Sequence, residues 1–204
     1  SIPVNIERII EADFKIEIIP IPELVSLCNT DALITSDWST MYVDNERYMD
    51  DRWYNRLRFS FAHEIGYMVL HSKLYESFDI SSVDDMYQFL DEIPGEQYGF
   101  IETQANTFAG YVLVPLDKLA AQRKKVVRLL SAHGLLENDI KDTSMLHEYI
   151  ADMVASPFDV SGEVARILLF TIPLSVCMQE DPGNVTIITL WSQTRRGELI
   201  TKWV

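Results

Sequence analysis

The chain has 204 residues, 48% of them hydrophobic and 24% charged, which is typical of a folded protein with a substantial core and not of a disordered one. Its 17 basic and 31 acidic side chains give a net charge of −14, which opposes general binding to nucleic-acid backbones or anionic membranes. No apolar run approaches the roughly 20 residues of a membrane helix, the first residues do not resemble a signal peptide, and the two cysteines form no zinc or disulfide pattern, so we expect a cytoplasmic protein.

The first part of the chain predicts a helix followed by a small sheet. Apolar residues at helical spacing predict a helix over Val4 to Ala12, and the alternating run KIEIIPIPEL predicts a strand that ends at the prolines. The runs DALITSD and TMYVDNE are β-type and lie on either side of a polar turn, which favours a hairpin or two neighbouring strands.

Two long helices are predicted next, on either side of an acidic segment. The first spans residue 51 to about residue 74, and the second ends near Val114 because Pro115 disfavours helical geometry in the residue before it. No Lys or Arg occurs between Leu74 and Leu116, a stretch that contains Glu76, Asp79, Asp84, Asp85, Asp91, Glu92, Glu96 and Glu102. A charge run of this kind is commonly a solvated surface. The alternative is that these acids line or border a binding cleft and select a basic partner.

The remainder predicts three more helices, with Gly134 as a C-cap and Ser161 as an N-cap. The tail, NVTIITLWSQTRRGELITKWV, predicts a final β-hairpin around its RRGE turn. We therefore predict an α+β fold in which residues 1–120 form one domain. Residues 121–204 would be a helical accessory region with C-terminal strands, packed on that domain.

A His-Glu pair lies in the middle of the first long helix, in the sequence HEIGY from His63 to Tyr67. In the zinc-binding motif HExxH, the two histidines lie four residues apart on one helix face, about 6 Å apart along its axis, and the glutamate faces the metal-bound water. Here the first His and the Glu are present as His63 and Glu64, and Tyr67 occupies the fifth position. By itself a His-Glu pair on a helix does not specify a metal site.

The sequence around this pair is more specific. RFSFAHEIGYMVLH, followed some thirty residues later by ETQANTFAGYVLVP, resembles the ImmA/IrrE family, whose members typically read R-F-x-x-A-H-E-[IL]-G-H-x-x-L-H and then E-x-x-A-N-x-F-A-x-x-L-[LV]-[MV]-P. The opening PVNIERI, the strand MYVD and the late FDVSGEVARIL also fit. The resemblance implies a thermolysin-like, gluzincin-like zinc peptidase domain over residues 1–120, with a small sheet packed on a zincin-type pair of active-site helices.

The resemblance also implies roles for individual residues. His63 matches the first zinc ligand, Glu64 the general base and Glu102 the third ligand, while Tyr67 stands where the second ligand should be. Zinc would polarise the scissile carbonyl and lower the pKa of its bound water to about 7, and Glu64 would take the proton. We expect His63 and Glu102 to face each other from two packed helices, with side chains within about 8 Å.

Tyr67 decides whether a metal is held. A neutral phenol with a pKa near 10 is a poorer zinc ligand than imidazole, so we expect zinc to be weakly bound or absent. Coordination by a phenolate, with its pKa lowered by a nearby cation, is the alternative. His71 lies eight residues beyond His63 and thus roughly 12 Å away on a straight helix, and we interpret it as structural.

Two functions remain open from the sequence. The first is a zinc-dependent endopeptidase of phage or mobile-element regulation that acts on a helix-turn-helix repressor, with activity impaired by Tyr67. The second is an inactive peptidase-like module that binds a protein partner. In either case we expect Asp84, Asp85, Asp91 and Glu92 to contact a basic segment of the partner, and no binding to membranes or directly to nucleic acid.

Overall fold

The structure of the protein is a computed structural model that describes residues 1–135 and 143–171. The predicted C-terminal hairpin lies outside the described residues. The chain divides into two units, Ser1–Leu113 with Pro157–Ser161, and Val114–Ser156 with Gly162–Val204. Helices predominate, and a small mixed sheet accompanies them, so the predicted α+β class is confirmed at this level.

The first unit begins with a short helix and a sheet of three strands. Helix α1 (Ile6–Arg8) continues as a π-helical turn, Ile9–Phe14. The next elements are β1 (Glu17–Ile21), α2 (Leu24–Cys28), β2 (Ala32–Ile34) and β3 (Thr40–Asp44). The strand order is β1-β3-β2, with β3 parallel to β1 and antiparallel to β2. The predicted neighbouring strands are therefore confirmed, and β2 forms one edge of the sheet.

Four helices complete the first unit: α3 (Asn45–Tyr48), α4 (Tyr54–Phe78), α5 (Val83–Glu92) and α6 (Gly95–Leu113). A 3-10 turn, Asp51–Trp53, leads into α4. The two long helices are present as predicted, although α6 begins at Gly95, before the motif that starts at Glu102. Helix α5 was not predicted. It begins because the Ser82 hydroxyl accepts a hydrogen bond from the backbone N–H of Asp85, and Met86 and Phe89 give it a buried face.

The second unit contains the three predicted later helices, α7 (Leu116–Ala132), α8 (Thr143–Ala155) and α9 (Gly162–Thr171). Gly134 follows α7 with φ of +66°, which is the left-handed conformation that favours glycine after a helix end. Its predicted capping role is thus confirmed. That residues 121–204 pack on the first domain stays a prediction.

The core of the first unit forms where α4 packs on α6. A Cβ added at Gly66 would lie 3.1 Å from the Cα of Ala105 and 3.3 Å from Cδ1 of Phe108. The two backbones therefore approach so closely that only glycine fits without a shift. Within the described ranges, no helix is long and apolar enough to cross a membrane.

Candidate functional site

The contact between α4 and α6 brings His63 and Glu102 together. Nε2 of His63 lies 3.6 Å from Oε1 of Glu102, and both side chains are only partly exposed. The glycine at position 66, one helical turn after His63, permits the close approach of the two helices. The predicted juxtaposition of His63 and Glu102 is therefore confirmed.

The other ring nitrogen of His63 is fixed by Asn106. Nδ1 lies 2.9 Å from Oδ1 of Asn106, so the imidazole can donate there while Nε2 faces Glu102. Burial opposes protonation of His63, but the hydrogen bond to Glu102, the charges of Glu64 and Glu102, and the hydrogen bond to Asn106 together raise its pKa. A protonated imidazole paired with the Glu102 carboxylate is consequently a favourable state. The sequence prediction missed Asn106, although it belongs to the same E-x-x-A-N motif as Glu102.

Glu64 is buried and points toward the sheet. Its Oε2 accepts a hydrogen bond of 3.0 Å from the backbone N–H of Ile34 in β2. Burial raises the pKa of Glu64 to about 7, against the lowering effects of the His63 charge and of the Ile34 N–H. A carboxyl group with such a pKa can exchange a proton near neutral pH, which is a property of general acids and bases.

Tyr67 is fully buried, with only 1% of its surface exposed, and its hydroxyl has no hydrogen-bond partner among the described residues. Its ring meets the His63 ring edge-on, with centroids 4.9 Å apart, and stacks on Tyr75 at 4.9 Å. The described residues around this phenol include no Lys or Arg in ring contact with it.

The stack of Tyr67 on Tyr75 depends on a kink in α4 at His71. His71 has φ of −130° and ψ of 20°, which are not helical values, and its buried Nε2 has no hydrogen-bond partner within residues 1–135 and 143–171. Burial lowers the pKa of His71. Tyr75 also stacks on Trp38, with centroids 5.9 Å apart. His71 therefore marks the bend of α4, which agrees with its interpretation as structural.

The arrangement is only partly suited to zinc. Two ligand atoms that share a tetrahedral zinc at about 2.1 Å would lie roughly 3.4 Å apart, and the 3.6 Å between Nε2 of His63 and Oε1 of Glu102 is close to that value. However, in residues 1–135 and 143–171 no three His, Cys, Asp or Glu side chains are grouped so that they could hold a metal ion. The position of the second histidine in the motif holds the buried phenol of Tyr67. The residues present therefore do not fit a three-ligand zinc centre.

The predicted partner-binding acids lie on or beside α5. Asp84, Asp91 and Glu92 are exposed, whereas Asp85 accepts hydrogen bonds from Ser81 and Ser82 at the start of the helix. These bonds lower the pKa of Asp85 to about 2, and the bond from the Ser82 hydroxyl has the largest effect. In the part of the chain that the structure describes, no hydrogen bond or ion pair joins these four acids to His63, Glu64 or Glu102.

Arg58, the arginine that opens the motif R-F-x-x-A-H-E, is a further buried residue of the site's surroundings. Its guanidinium donates hydrogen bonds to the backbone carbonyls of Val4 (2.7 Å), Asp159 (3.2 Å) and Phe158 (3.4 Å). It thereby fixes two segments of the first unit, one at Val4 and one at Phe158 and Asp159, beside the helix that carries His63, since a buried guanidinium must satisfy its donors. The motif arginine is thus a structural residue.

Comparison with known proteins gives one match. The family model described as Peptidase_M78, IrrE N-terminal-like domain, matches residues 54–166, which is more than half of the chain. This range includes both α4 and α6 and therefore His63, Glu64, Tyr67 and Glu102. No curated protein and no solved structure matches the chain.

Proposed function

Because the chain belongs to the family of IrrE N-terminal-like domains, we propose that it is a metallopeptidase-like protein that binds a protein partner without zinc-dependent cleavage. In this proposal α4 and α6 correspond to a zincin-type pair of active-site helices. Family membership confirms the resemblance predicted from the sequence.

The state of Tyr67 is the observation that carries the proposal. The phenol of Tyr67 is fully buried and stacked on Tyr75. It would have to lose its hydroxyl proton to act as an anionic metal ligand, and a phenol, with an ordinary pKa near 10, is a poorer zinc ligand than imidazole. His63 and Glu102 alone supply two donors, fewer than the three protein ligands of a catalytic zinc site.

The proposed partner carries a basic segment, and the helix-turn-helix repressor of a phage or mobile element is the proposed class. The exposed carboxylates of Asp84, Asp91 and Glu92 support a basic contact. Tyr87, which is 44% exposed on the same helix, adds an aromatic ring over which an Arg or Lys side chain can pack.

A zinc-dependent endopeptidase with impaired activity is the second candidate. It is favoured by the retention of His63 and Glu102 at 3.6 Å and by the neighbouring Glu64, whose pKa is about 7. These residues supply two ligand atoms and a proton acceptor, which are parts of a metallopeptidase site.

A binding and cleavage assay separates the two candidates. The purified protein is mixed with a helix-turn-helix repressor encoded beside it, once with zinc and once with a chelator. The proposed function predicts a complex of equal affinity in both conditions and an intact repressor. Cleavage that requires zinc and is lost in Glu64→Gln would support the endopeptidase instead, and the absence of any complex would contradict both.

A further inference from the structure

Trp38 has a backbone conformation that is unusual for a large side chain. It lies in the turn between β2 and β3, where its N–H donates to the carbonyl of Thr35 at 3.0 Å, and its φ is +58°. This left-handed conformation favours glycine and is an outlier for a bulky residue. Strained residues persist where their surroundings hold them, and they cluster at binding and catalytic sites. The strain therefore points to a function for the Trp38 side chain.

Two side chains of α4 hold the indole ring of Trp38. The ring stacks on Tyr75, with centroids 5.9 Å apart, and Nε1 donates to Oε1 of Glu76 at 3.1 Å. The turn is also joined to the residues after α4, because the Ser36 N–H donates to the Ile80 carbonyl at 2.7 Å. These contacts place a partly exposed indole beside an exposed carboxylate. Trp38, Tyr75 and Glu76 are here called the Trp38 site.

The surroundings of the Trp38 site are acidic. Asp37 precedes Trp38 in the turn, Asp79 follows the end of α4, and both are exposed. Lys73 lies one turn before Glu76 in α4, but neither it nor any other described cation forms an ion pair with the Glu76 carboxylate. A cationic side chain of a partner would therefore meet an accessible carboxylate of opposite charge.

Trp53 shows which side chain covers an indole ring in this protein. The guanidinium carbon of Arg47 lies 3.8 Å from the centroid of the Trp53 ring and that of Arg56 lies 5.8 Å from it. Both arginines also pair with the carboxylate of Asp31. A planar guanidinium can pack on an aromatic ring and pair with a carboxylate at the same time. The Trp38 site offers the same two partners, a ring and a carboxylate, but in the part of the chain that the structure describes no arginine or lysine lies over its ring.

We propose that the Trp38 site binds an arginine side chain in the basic segment of the protein partner. The guanidinium packs on the indole ring of Trp38 and pairs with the carboxylate of Glu76. This inference rests on the proposed function, because it identifies residues that recognise the basic segment. Since Tyr75 stacks on both Trp38 and Tyr67, the arginine binds two ring contacts away from the position of the second histidine in the motif.

Titration of the native protein with a model peptide tests the site without the repressor. The probe is a blocked peptide with one arginine between flanking glycines, compared with the same peptide in which uncharged citrulline replaces the arginine. The indole N–H signals of Trp38 and Trp53 are followed in one NMR spectrum, and Trp53 is the internal control because Arg47 already covers its ring. The arginine peptide should shift the Trp38 signal at least about threefold farther than the Trp53 signal, and the citrulline peptide should shift neither. Equal shifts of the two signals, an unmoved Trp38 signal or an equal effect of citrulline would overturn the proposal.

The same titration with two charge variants tests the role of Glu76. Glu76→Gln keeps an acceptor for the indole N–H and removes the negative charge, so the affinity for the arginine peptide should fall at least about fivefold. Glu11→Gln removes an exposed acid elsewhere and changes the net charge equally, so it should leave the affinity unchanged. Equal affinities of these two variants would contradict pairing of the arginine with Glu76.

Binding of the neighbouring repressor tests whether the partner uses the Trp38 site. Trp38→Gly retains the left-handed turn, because glycine adopts that conformation without strain, and it removes the ring. The affinity for the repressor should fall at least about tenfold, whereas the control Tyr149→Leu, which removes a 53% exposed ring in the second unit, should bind as the native protein does. Native affinity in Trp38→Gly would overturn the recognition of the partner by Trp38. A repressor that does not bind even the native protein would contradict the proposed function, while the peptide titration would still decide whether the site binds arginine.

Discussion

The ring of Tyr67 stacks on the ring of Tyr75, with centroids 4.9 Å apart, although eight residues separate them in the same helix. On a straight helix that spacing corresponds to about 12 Å along the axis. The kink at His71 shortens the distance, and Trp38 also stacks on Tyr75. Tyr67 is therefore integrated into an aromatic stack, and its position is packed like a core residue of the first unit.

Gly66 should be intolerant of a side chain. We expect Gly66→Ala to lower the free energy of unfolding by about 1–3 kcal/mol, because the added Cβ would meet the Ala105 backbone at 3.1 Å. Gly99→Ala is the matched control within α6, since nothing lies within 4 Å of its added Cβ; it should stabilise the helix by roughly 0.5–1 kcal/mol. Urea unfolding measures both, and equal effects would contradict the close contact of α4 with α6.

Asn106 should control the protonation of His63. Asn106→Ala removes a hydrogen bond that raises the pKa of His63, so that pKa should fall. Asn106→Asp adds a negative charge beside the ring, so the pKa should rise above the native value. NMR titration of the His63 ring protons measures the shifts, with Thr107→Ala as the control that leaves the titration unchanged. A shift in the same direction for both Asn106 variants would be inconsistent with this geometry.

Ionisation of the buried Glu64 should lower the free energy of unfolding as the pH rises. Its pKa is about 7 in the fold against an ordinary value of 4.5, so between these values the folded state binds more protons than the unfolded state and stability falls with increasing pH. The shift corresponds to a cost of about 3 kcal/mol above pH 7. Glu64→Gln keeps an acceptor for the Ile34 N–H and removes the titration. The free energy of unfolding of the variant minus that of the native protein should therefore grow from pH 4.5 to pH 7. A difference that does not depend on pH would show that the pKa of Glu64 is ordinary.

The acids of α5 should accelerate partner association. Replacing Asp84 and Asp91 by Asn and Glu92 by Gln should slow association and weaken its dependence on salt, since these carboxylates are exposed. Asp85 is left unchanged because it caps the helix. The control replaces three exposed acids elsewhere, Glu11, Asp13 and Glu17, and so changes the net charge equally. Equal stopped-flow association rates for the two triple variants would indicate that the acids of α5 form only a solvated surface.

The sequence was sufficient for the parts of the site that depend on local spacing. His63 and Glu102 lie in helices whose periodicity and motif are visible in the sequence, and their juxtaposition follows from the packing of those helices. The stack of Tyr67 on Tyr75 was not predictable, because it depends on a kink at His71 that no proline or glycine marks. The bond between Glu64 and Ile34 was missed for a related reason. It joins a helix side chain to a strand backbone thirty residues away, and no pattern within either element reports it.

The zinc content of the native protein compared with Tyr67→His tests the central claim most directly. Metal analysis and zinc titration should give far less than one zinc per native chain, because a buried phenol adds no third donor to His63 and Glu102. Tyr67→His should bind about one zinc per chain, whereas Tyr67→Phe should bind no more than the native protein. One tightly held zinc in the native protein that is lost in Tyr67→Phe would contradict the account, because it would make the phenol a working ligand.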